Sequence, residues 1–290
     1  MGEALARPSR DDSLSVVVPY FRQAHRVVRA VASLLAQTHP PERVIVISDG
    51  DPEVPHLDLV GLDPNRVIVH RLLQNRGHFF AREVAWRAAD SRWIGFVDAD
   101  DFVEPRWAEA LIDAGKRNDG VAFCASRHIS SYGRLDRTRR ISSASPERAA
   151  LPEPRPKRFA SHTTIYRRDR IAAAGGFDPG FRVGFDTLFI NLVALSGRFG
   201  VVDEALYVRR RKDVFRRKSL TRNRMTGKGS PVRLDANTRV GDLYQRFAPV
   251  FRADPADGLR RLLAERDPEL EGLVAEESRR LRDVLGGPVG

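Results

Sequence analysis

The sequence predicts an α/β fold, a mainly parallel sheet flanked by helices and followed by a helical C-terminal extension. Over the first hundred residues, short apolar runs alternate with segments whose apolar residues recur at helical spacing. This alternation is the pattern of βαβ units. The chain has 290 residues, 42% of them hydrophobic, so it can bury a sizeable core. The composition excludes collagen-like, coiled-coil, disulfide-scaffold and intrinsically disordered chains.

Four apolar runs predict strands in the first part of the chain: residues 14–18, 44–47, 67–69 and 93–97. They are too short for helices, and three of them end at Pro19, at Asp49 and at Asp98. Between the strands, apolar residues at helical spacing predict one helix over 27–37 and another over 79–90.

The second part of the chain is less regular. Residues 165–174 and 187–195 are predicted to form helices, each of which ends near a glycine. The proline-rich segment 142–158 is predicted to be a loop or a linker. The tail over 257–285 interleaves leucines with charges, which predicts a pair of helices packed on the domain.

Positive charge is concentrated in one segment. Residues 205–230 contain ten Lys or Arg and one Asp, a local charge of +9, whereas the net charge of the whole chain is +11. A nucleic-acid-binding protein usually spreads its basic residues over a whole face. The sequence therefore favours one local anionic partner, such as a phosphate-bearing ligand, and we expect no nucleic acid.

We expect a cytoplasmic protein without a membrane span. No stretch approaches 18 uncharged apolar residues, and residues 1–12 lack the apolar centre of a signal peptide. The single cysteine, Cys124, lies in an apolar run, which fits a buried thiol in a reducing compartment. The seven histidines lack the spacing of a zinc site.

Carboxylates follow two of the predicted strands, at the edge where open α/β sheets bind ligands. Asp98, Asp100 and Asp101 follow the fourth strand, and Asp49 follows the second. Oxygen ligands favour Mg²⁺ or Mn²⁺, although Asp100 or Asp101 could instead cap the next helix. Asp186 precedes an apolar helix, where it could be a helix cap or a general base.

The motifs occur in a characteristic order: Ser15–Tyr20, Gln37-Thr38, Val44–Gly50, Asn75–Gly77, Ala81-Arg82, Ile94–Asp101, Gly175–Asp178, Gly184–Asp186 and Ser219–Thr221. This ordered set resembles family 2 glycosyltransferases with the GT-A fold, a Rossmann-like architecture, over roughly residues 13 to 222. The resemblance implies an N-terminal tail at 1–12 and a GT-A domain at 13–230. A nucleotide-binding half would cover about 13–115 and an acceptor half about 116–230, with a helical extension at 231–290.

The resemblance implies a nucleotide-diphosphate sugar as donor, most typically linked to UDP. Asp49 matches the acid that binds the base, with the turn of Pro19 and Tyr20 beside it. Arg82 matches a second contact to the nucleotide, and Asp98 matches the acid near the ribose.

Further roles follow from the same resemblance. Gly176 matches the loop near the donor sugar and the acceptor, and Asp186 matches the general base of an inverting transfer. Arg217 and Lys218 lie in the basic segment 209–228, which would close over the nucleotide as a flap. The acceptor stays open, whether saccharide, lipid-linked, natural product or peptide, and its contacts are expected from a loop at 126–160 and from the C-terminal region.

The resemblance implies Mn²⁺ or Mg²⁺ as cofactor, coordinated by Asp100. The chain departs from the family pattern at Ser48, Glu83 and Phe185, and it lacks a histidine near Ser219–Thr221. An inactive or altered relative is therefore an alternative. Two further alternatives are a haloacid-dehalogenase-like phosphatase and a non-catalytic binder of nucleic acid or anionic surfaces through residues 209–228. A nucleotidyltransferase is a fourth, for which the sequence has no glycine-rich phosphate loop.

Overall fold

The computed structural model describes residues 10–53, 55, 63, 65–124, 126–131, 134–140, 163–195, 197–212 and 231–286. Within these residues the strands are β1 Leu14–Tyr20, β2 Arg43–Ser48, β3 Val67–Arg71, β4 Trp93–Phe96, β5 Phe102–Val103, β6 Val121–Cys124, β7 Ser126–Ser131, β8 Arg134–Arg140, β9 Thr164–Arg167, β10 Gly200–Val202 and β11 Tyr207–Lys212. The helices are α1 Ala24–Leu35, α2 His78–Ala88, α3 Trp107–Lys116, α4 Arg168–Ala173, α5 Phe185–Leu195, α6 Pro231–Ala253, α7 Pro255–Ala264 and α8 Pro268–Gly286.

The main sheet has seven strands in the order β10-β6-β9-β4-β1-β2-β3. Strand β1 runs parallel to both β2 and β4, and β2 runs parallel to β3. Strand β9 is antiparallel to its two neighbours, β4 and β6. The predicted mainly parallel sheet is therefore confirmed. The four apolar runs of the first part of the chain form four of its seven strands, β1 to β4.

Both faces of the sheet are buried, which explains why its central strands are continuous apolar runs. In β1, Val17 joins a core cluster with residues of α2, α5, α6 and α8. Its neighbours Val16 and Val18 point to the other face and join a cluster with residues of α1 and α3. The alternation of β-strand side chains thus divides one hydrophobic run between two helical layers.

A second sheet has four strands in the order β5-β11-β7-β8. The pair β7–β8 is an antiparallel hairpin, and β11 lies parallel to β7. The expectation of a loop over 126–160 is therefore wrong for residues 126–131 and 134–140. These strands are polar and rich in arginine, so no apolar alternation indicates them. They are held instead by backbone pairing, of β7 with β11 and of β8 with β7. The predicted linker 142–158 lies wholly within 141–162, outside the described residues.

The predicted helix over 165–174 is partly wrong. Its first residues form β9, and helix α4 begins only at Arg168. Ile165 and Tyr166 are fully buried between β4 and β6. Tertiary pairing in the middle of a sheet overrides the local helical pattern here.

The C-terminal residues are helical, as predicted, and their two last helices form the expected pair. Helix α8 packs against α2, and α6 packs against α5. Val274 and Leu281 of α8 are fully buried in the same core cluster as the central strands. These helices therefore complete the core of the main sheet. Among the described helices, none is both long and apolar enough to cross a membrane.

Candidate active site

The carboxyl ends of β1, β2 and β4 meet at one edge of the main sheet because the three strands are parallel neighbours. Pro19 and Tyr20 form the last two residues of β1, and they pair with Ile47 and Ser48 of β2. Asp49 follows β2, and the acids of residues 98–101 follow β4. The fold thus brings together the strand-end residues that the sequence singled out.

Asp49 is buried and holds the loop that leads into α2. One of its carboxylate oxygens accepts a hydrogen bond from the backbone N–H of Arg76 at 2.7 Å. The other accepts from the N–H of Gly77 at 2.9 Å and from Nδ2 of Asn75 at 3.0 Å. Burial raises the pKa of the Asp49 carboxyl, while these amides and the nearby guanidinium of Arg182 oppose the rise. Asp49 is therefore a structural residue of this edge, and its contact with a nucleotide base stays a prediction.

Tyr20 organises the segment that follows Asp49. Its hydroxyl donates to the carbonyl of Glu53 at 3.0 Å, and burial raises the pKa of the phenol. Asp51, which is buried and was not singled out from the sequence, accepts hydrogen bonds from the backbone N–H groups of Arg22 and Glu53. These contacts fold residues 49–53 over the end of β1.

Arg82 and Asp98 form an ion pair at the end of β4. Nη2 of Arg82 lies 2.9 Å from Oδ1 of Asp98. The arginine side chain is 3% exposed, whereas the aspartate side chain is 38% exposed. The guanidinium lies 5.5 Å from the ring centre of Phe96 and 5.9 Å from that of Phe177, which is within the range of cation–π contacts. The buried guanidinium of Arg82 thus places a positive charge next to the more accessible carboxylate of Asp98.

Asp100 also has an arginine partner. Nη1 of Arg26, in the first turn of α1, lies 3.6 Å from Oδ2 of Asp100. Arg26 was not singled out from the sequence. A possible signal was its place next to Val27, because a charged residue beside the buried stripe of an amphipathic helix needs a partner.

Asp101 ties the two sheets together. It accepts from the hydroxyl of Tyr207 at 2.9 Å and from the backbone N–H of Arg210 at 2.9 Å. Burial and the negative charges of Asp100 and Asp98 raise its pKa well above the usual value. Helix α3 begins after Arg106 without a side-chain cap, so the alternative that Asp100 or Asp101 caps it is wrong.

Gly176 lies against a buried carboxylate. Its φ is +68°, and a Cβ at this position would come within 2.5 Å of Oε2 of Glu83. Glu83 is fully buried and accepts from the N–H of Phe177 at 2.6 Å and from Nε1 of Trp86 at 2.5 Å. Burial raises the pKa of Glu83, and the guanidinium groups of Arg266 and Arg87 oppose the rise. The observed surroundings of Gly176 are thus structural, and its contact with the donor sugar stays a prediction.

Asp186 is the second residue of α5 and is half-buried. Its negative charge and the positive charge of Arg82 both act on the buried phenol of Tyr166. Burial has the largest effect and raises the pKa of that phenol. The charge of Asp186 raises the pKa further, whereas the charge of Arg82 lowers it. Asp186 and Arg82 therefore both act on this one buried tyrosine.

The basic segment is described only in part. Arg209 and Arg210 belong to β11 and are half-buried. Residues 213–230, which include Arg217 and Lys218, lie outside the described residues, so the structure does not test the predicted flap there.

The acids of this edge suit a divalent cation in one specific way. Asp98 and Asp100 offer the oxygen ligands that Mg²⁺ and Mn²⁺ prefer. In the described part of the chain, no group of three or more His, Cys, Asp or Glu residues is arranged to hold a metal. This donor set fits a cation held by one or two carboxylates and completed by substrate phosphates.

The sheet order and the flanking helices give the chain the GT-A fold. The chain belongs to glycosyl transferase family 2, whose sequence model matches residues 15–181. This membership places the chain among glycosyltransferases and contradicts the phosphatase and nucleotidyltransferase alternatives.

Two curated relatives illustrate the family. Hyaluronan synthase of Streptococcus pyogenes is 29% identical over 132 residues, which cover 43% of this chain and 31% of that protein. The succinoglycan biosynthesis protein ExoO of Rhizobium meliloti is 26% identical over 210 residues, which cover 67% of this chain and 60% of that protein. The chain thus spans about a third and about three fifths of these relatives.

A solved structure shares the fold. The S. aureus protein TarS, in complex with UDP-GlcNAc, has a TM-score of 0.57 and 17% sequence identity. The match covers 94% of this chain and 81% of that chain, so it extends beyond the family-matched residues.

Proposed function

We propose that this chain transfers a sugar from a UDP-linked donor to a hydroxyl group of an acceptor, with inversion at the anomeric carbon. The observation that carries the proposal is the meeting of Asp49, Asp98 and Asp100 at one edge of the sheet, in a chain of this family. Open α/β sheets bind ligands at this edge. TarS was solved both with UDP and with UDP-GlcNAc, which supports a UDP-linked donor.

The base of the donor is proposed to lie near Asp49 and the turn formed by Pro19 and Tyr20. The N–H groups of residues 76 and 77 bind the Asp49 carboxylate, which keeps this edge rigid. The side chain of Arg182 donates to Asn75 in the same loop. Rigid polar groups of this kind can select a base without a large ordering cost on binding.

A divalent cation is proposed to bind at Asp100, with Asp98 beside it. When bound, the cation would offset the negative charge that develops on the departing diphosphate. Arg82 adds a fixed positive charge at the same place, because it is buried and paired with Asp98. Arg217 and Lys218 are proposed to cover the diphosphate as part of the basic flap.

Asp186 is proposed as the general base. Its carboxylate would take the proton of the acceptor hydroxyl while the acceptor oxygen bonds to the anomeric carbon. The bond between that carbon and the diphosphate oxygen breaks in the same step, and the nucleoside diphosphate leaves. One displacement inverts the configuration and leaves no covalent sugar–enzyme intermediate.

Of the open acceptor classes, we propose a saccharide. The names of two relatives refer to polysaccharides, hyaluronan and succinoglycan. A lipid-linked saccharide, a natural product or a peptide would be identified by the same acceptor screen.

Calorimetric titration with UDP and with GDP, each with and without Mn²⁺, tests the donor side. We expect micromolar binding of UDP in the presence of Mn²⁺, weaker binding of GDP, and a loss of at least about tenfold in Asp100→Asn, because the carboxylate charge that holds the cation is removed. Glu276→Gln is the matched control, since Glu276 is an exposed acid of α8 and should leave UDP binding unchanged. Absence of nucleotide binding in wild type with every metal would overturn the proposed function.

A further inference from the structure

Arg26 is an unusual residue for its position in the fold. It lies in the first turn of α1, directly after the carboxyl end of β1, and its side chain is only 8% exposed. The positive end of a helix dipole already lies at this turn, so an arginine there is unfavourable unless a carboxylate compensates for it. A buried guanidinium also needs an anionic partner.

Asp100 is that partner. Nη1 of Arg26 lies 3.6 Å from Oδ2 of Asp100, whose side chain is 21% exposed. At the other end of the guanidinium, Nε donates to Nε2 of His25 at 3.2 Å. The guanidinium is therefore directed at the carboxylate that the proposed function assigns to the divalent cation.

We propose that Arg26 occupies the place of the cation at Asp100 in the substrate-free enzyme, so that Arg26 and the divalent cation bind this carboxylate in alternation. The inference rests on the proposed function, because it assumes that Asp100 receives a cation. A guanidinium and a divalent cation held at the same carboxylate repel each other, because both are positively charged. Solvent and salt screen this repulsion only weakly, since the site is partly buried.

The diphosphate of the donor gives Arg26 a second partner. Guanidinium groups bind phosphate oxygens with paired, charge-assisted hydrogen bonds. When Arg26 moves to the diphosphate, Asp100 becomes available to the cation. The cation and the donor are then thermodynamically coupled, and each one increases the affinity for the other.

Mn²⁺ binding in the absence of nucleotide tests this inference, with the electron paramagnetic resonance signal of free Mn²⁺ as the readout. We expect Arg26→Met to bind Mn²⁺ at least about tenfold more tightly than wild type, because the competing charge is removed. Arg29→Met is the matched control: Arg29 lies on the same helix, but its guanidinium stacks 3.7 Å from the ring centre of Phe102. This control should bind Mn²⁺ like wild type.

Two further measurements sharpen the test. Saturating UDP should reduce the difference between wild type and Arg26→Met to less than about threefold, because the diphosphate takes over the guanidinium. The double variant with Arg26→Met and Asp100→Asn should lose the gain in Mn²⁺ affinity. Thermal unfolding verifies that each variant is folded, and Arg26→Gln replaces Arg26→Met if the methionine variant does not fold.

Equal Mn²⁺ affinity in wild type and Arg26→Met, including no binding in either, would overturn the inference. A gain that Arg29→Met shares, or that survives in the double variant, would overturn it as well. Failure of the proposed function is distinguishable, because it appears as the absence of UDP binding, whereas the metal titration contains no nucleotide.

Discussion

Asp186 differs from the other acids of the site because it lies at the start of a helix and not at the end of a strand. After this first turn, helix α5 is apolar except for Asn191, and its residues 188–194 are buried. A negative charge in the first turn of a helix interacts favourably with the helix dipole. The local sequence therefore cannot distinguish a helix-stabilising residue from a general base. Kinetics of a conservative variant can distinguish them.

Replacing Asp186 by asparagine should lower kcat by about 10²- to 10⁴-fold, because the amide cannot accept the proton of the acceptor. UDP affinity should stay within about twofold of wild type, since the proposed role of Asp186 is on the acceptor side. Steady-state kinetics and calorimetry on the same preparation check both values. An unchanged kcat would remove Asp186 from the mechanism.

Gly176 is a second position at which a single atom matters. In Gly176→Ala, the added Cβ would meet the carboxylate of Glu83 while the backbone keeps a φ of +68°. We expect a loss of about 2 kcal/mol in the free energy of unfolding, from backbone strain and the displaced buried carboxylate.

Urea denaturation measures this change, and Gly272→Ala is the control with the opposite sign. Gly272 lies within α8, and a Cβ there meets nothing within 4 Å, so alanine should stabilise by roughly 0.5–1 kcal/mol. If both variants changed stability in the same direction, the role assigned to the Glu83 contact would be incorrect.

At the scale of elements, helix α2 links the site to the C-terminal helices through Glu83. Nη1 of Arg266 lies 3.5 Å from Oε1 of Glu83 and 2.9 Å from Oε1 of Glu271. Nη2 of Arg266 donates to the carbonyl of Gly175, next to the loop that Glu83 holds. The turn between α7 and α8 is therefore joined to the loop that precedes Asp186.

Arg266→Met should destabilise the fold by about 3 kcal/mol, because it leaves a buried carboxylate with less compensating charge and a buried carbonyl without its donor. Thermal or chemical denaturation checks the value. Arg246→Met, at an exposed ion pair with Glu265, should have a far smaller effect. Equal effects of the two substitutions would contradict the structural role of Arg266.

The elements that the sequence predicted correctly are those with strong local patterns. The strands β1, β2 and β4 are buried on both faces, so their apolar runs are nearly unbroken. Strand β9 and the hairpin β7–β8 were missed, because β9 pairs with β4 and β6 and β7 pairs with β11, which are all distant in sequence. Local periodicity carries no information about such partners.

At the scale of the whole molecule, the sheet and the last helix are joined by a buried pair. Nε2 of His70 in β3 lies 3.1 Å from Oε2 of Glu277 in α8. Burial lowers the pKa of His70 from its usual value of 6.5, although Glu277 opposes the shift. The unfolded chain therefore takes up a proton at this histidine at a higher pH than the folded chain does.

The free energy of unfolding should consequently fall as the pH drops below about 6.5, by up to about 1.4 kcal/mol per pH unit from this residue until the folded histidine is protonated. Above that pH the residue adds no pH dependence. His70→Gln should remove this part of the slope, while the difference between variant and wild type stays constant from about pH 7.5 to 9. Urea denaturation at each pH of this series measures the free energy of unfolding. If the values for wild type and His70→Gln ran parallel over the whole pH range, the prediction would be contradicted.

The sequence by itself determined the α/β class, the parallel core, the family and the acids at the carboxyl edge, because these depend on local patterns and on the order of motifs. Only the tertiary structure decided what each acid contacts. Asp98 pairs with Arg82, Asp100 pairs with Arg26, and Asp101 binds Tyr207. Neighbouring carboxylates in one short motif thus have different environments, since their partners come from segments that meet only when the chain folds.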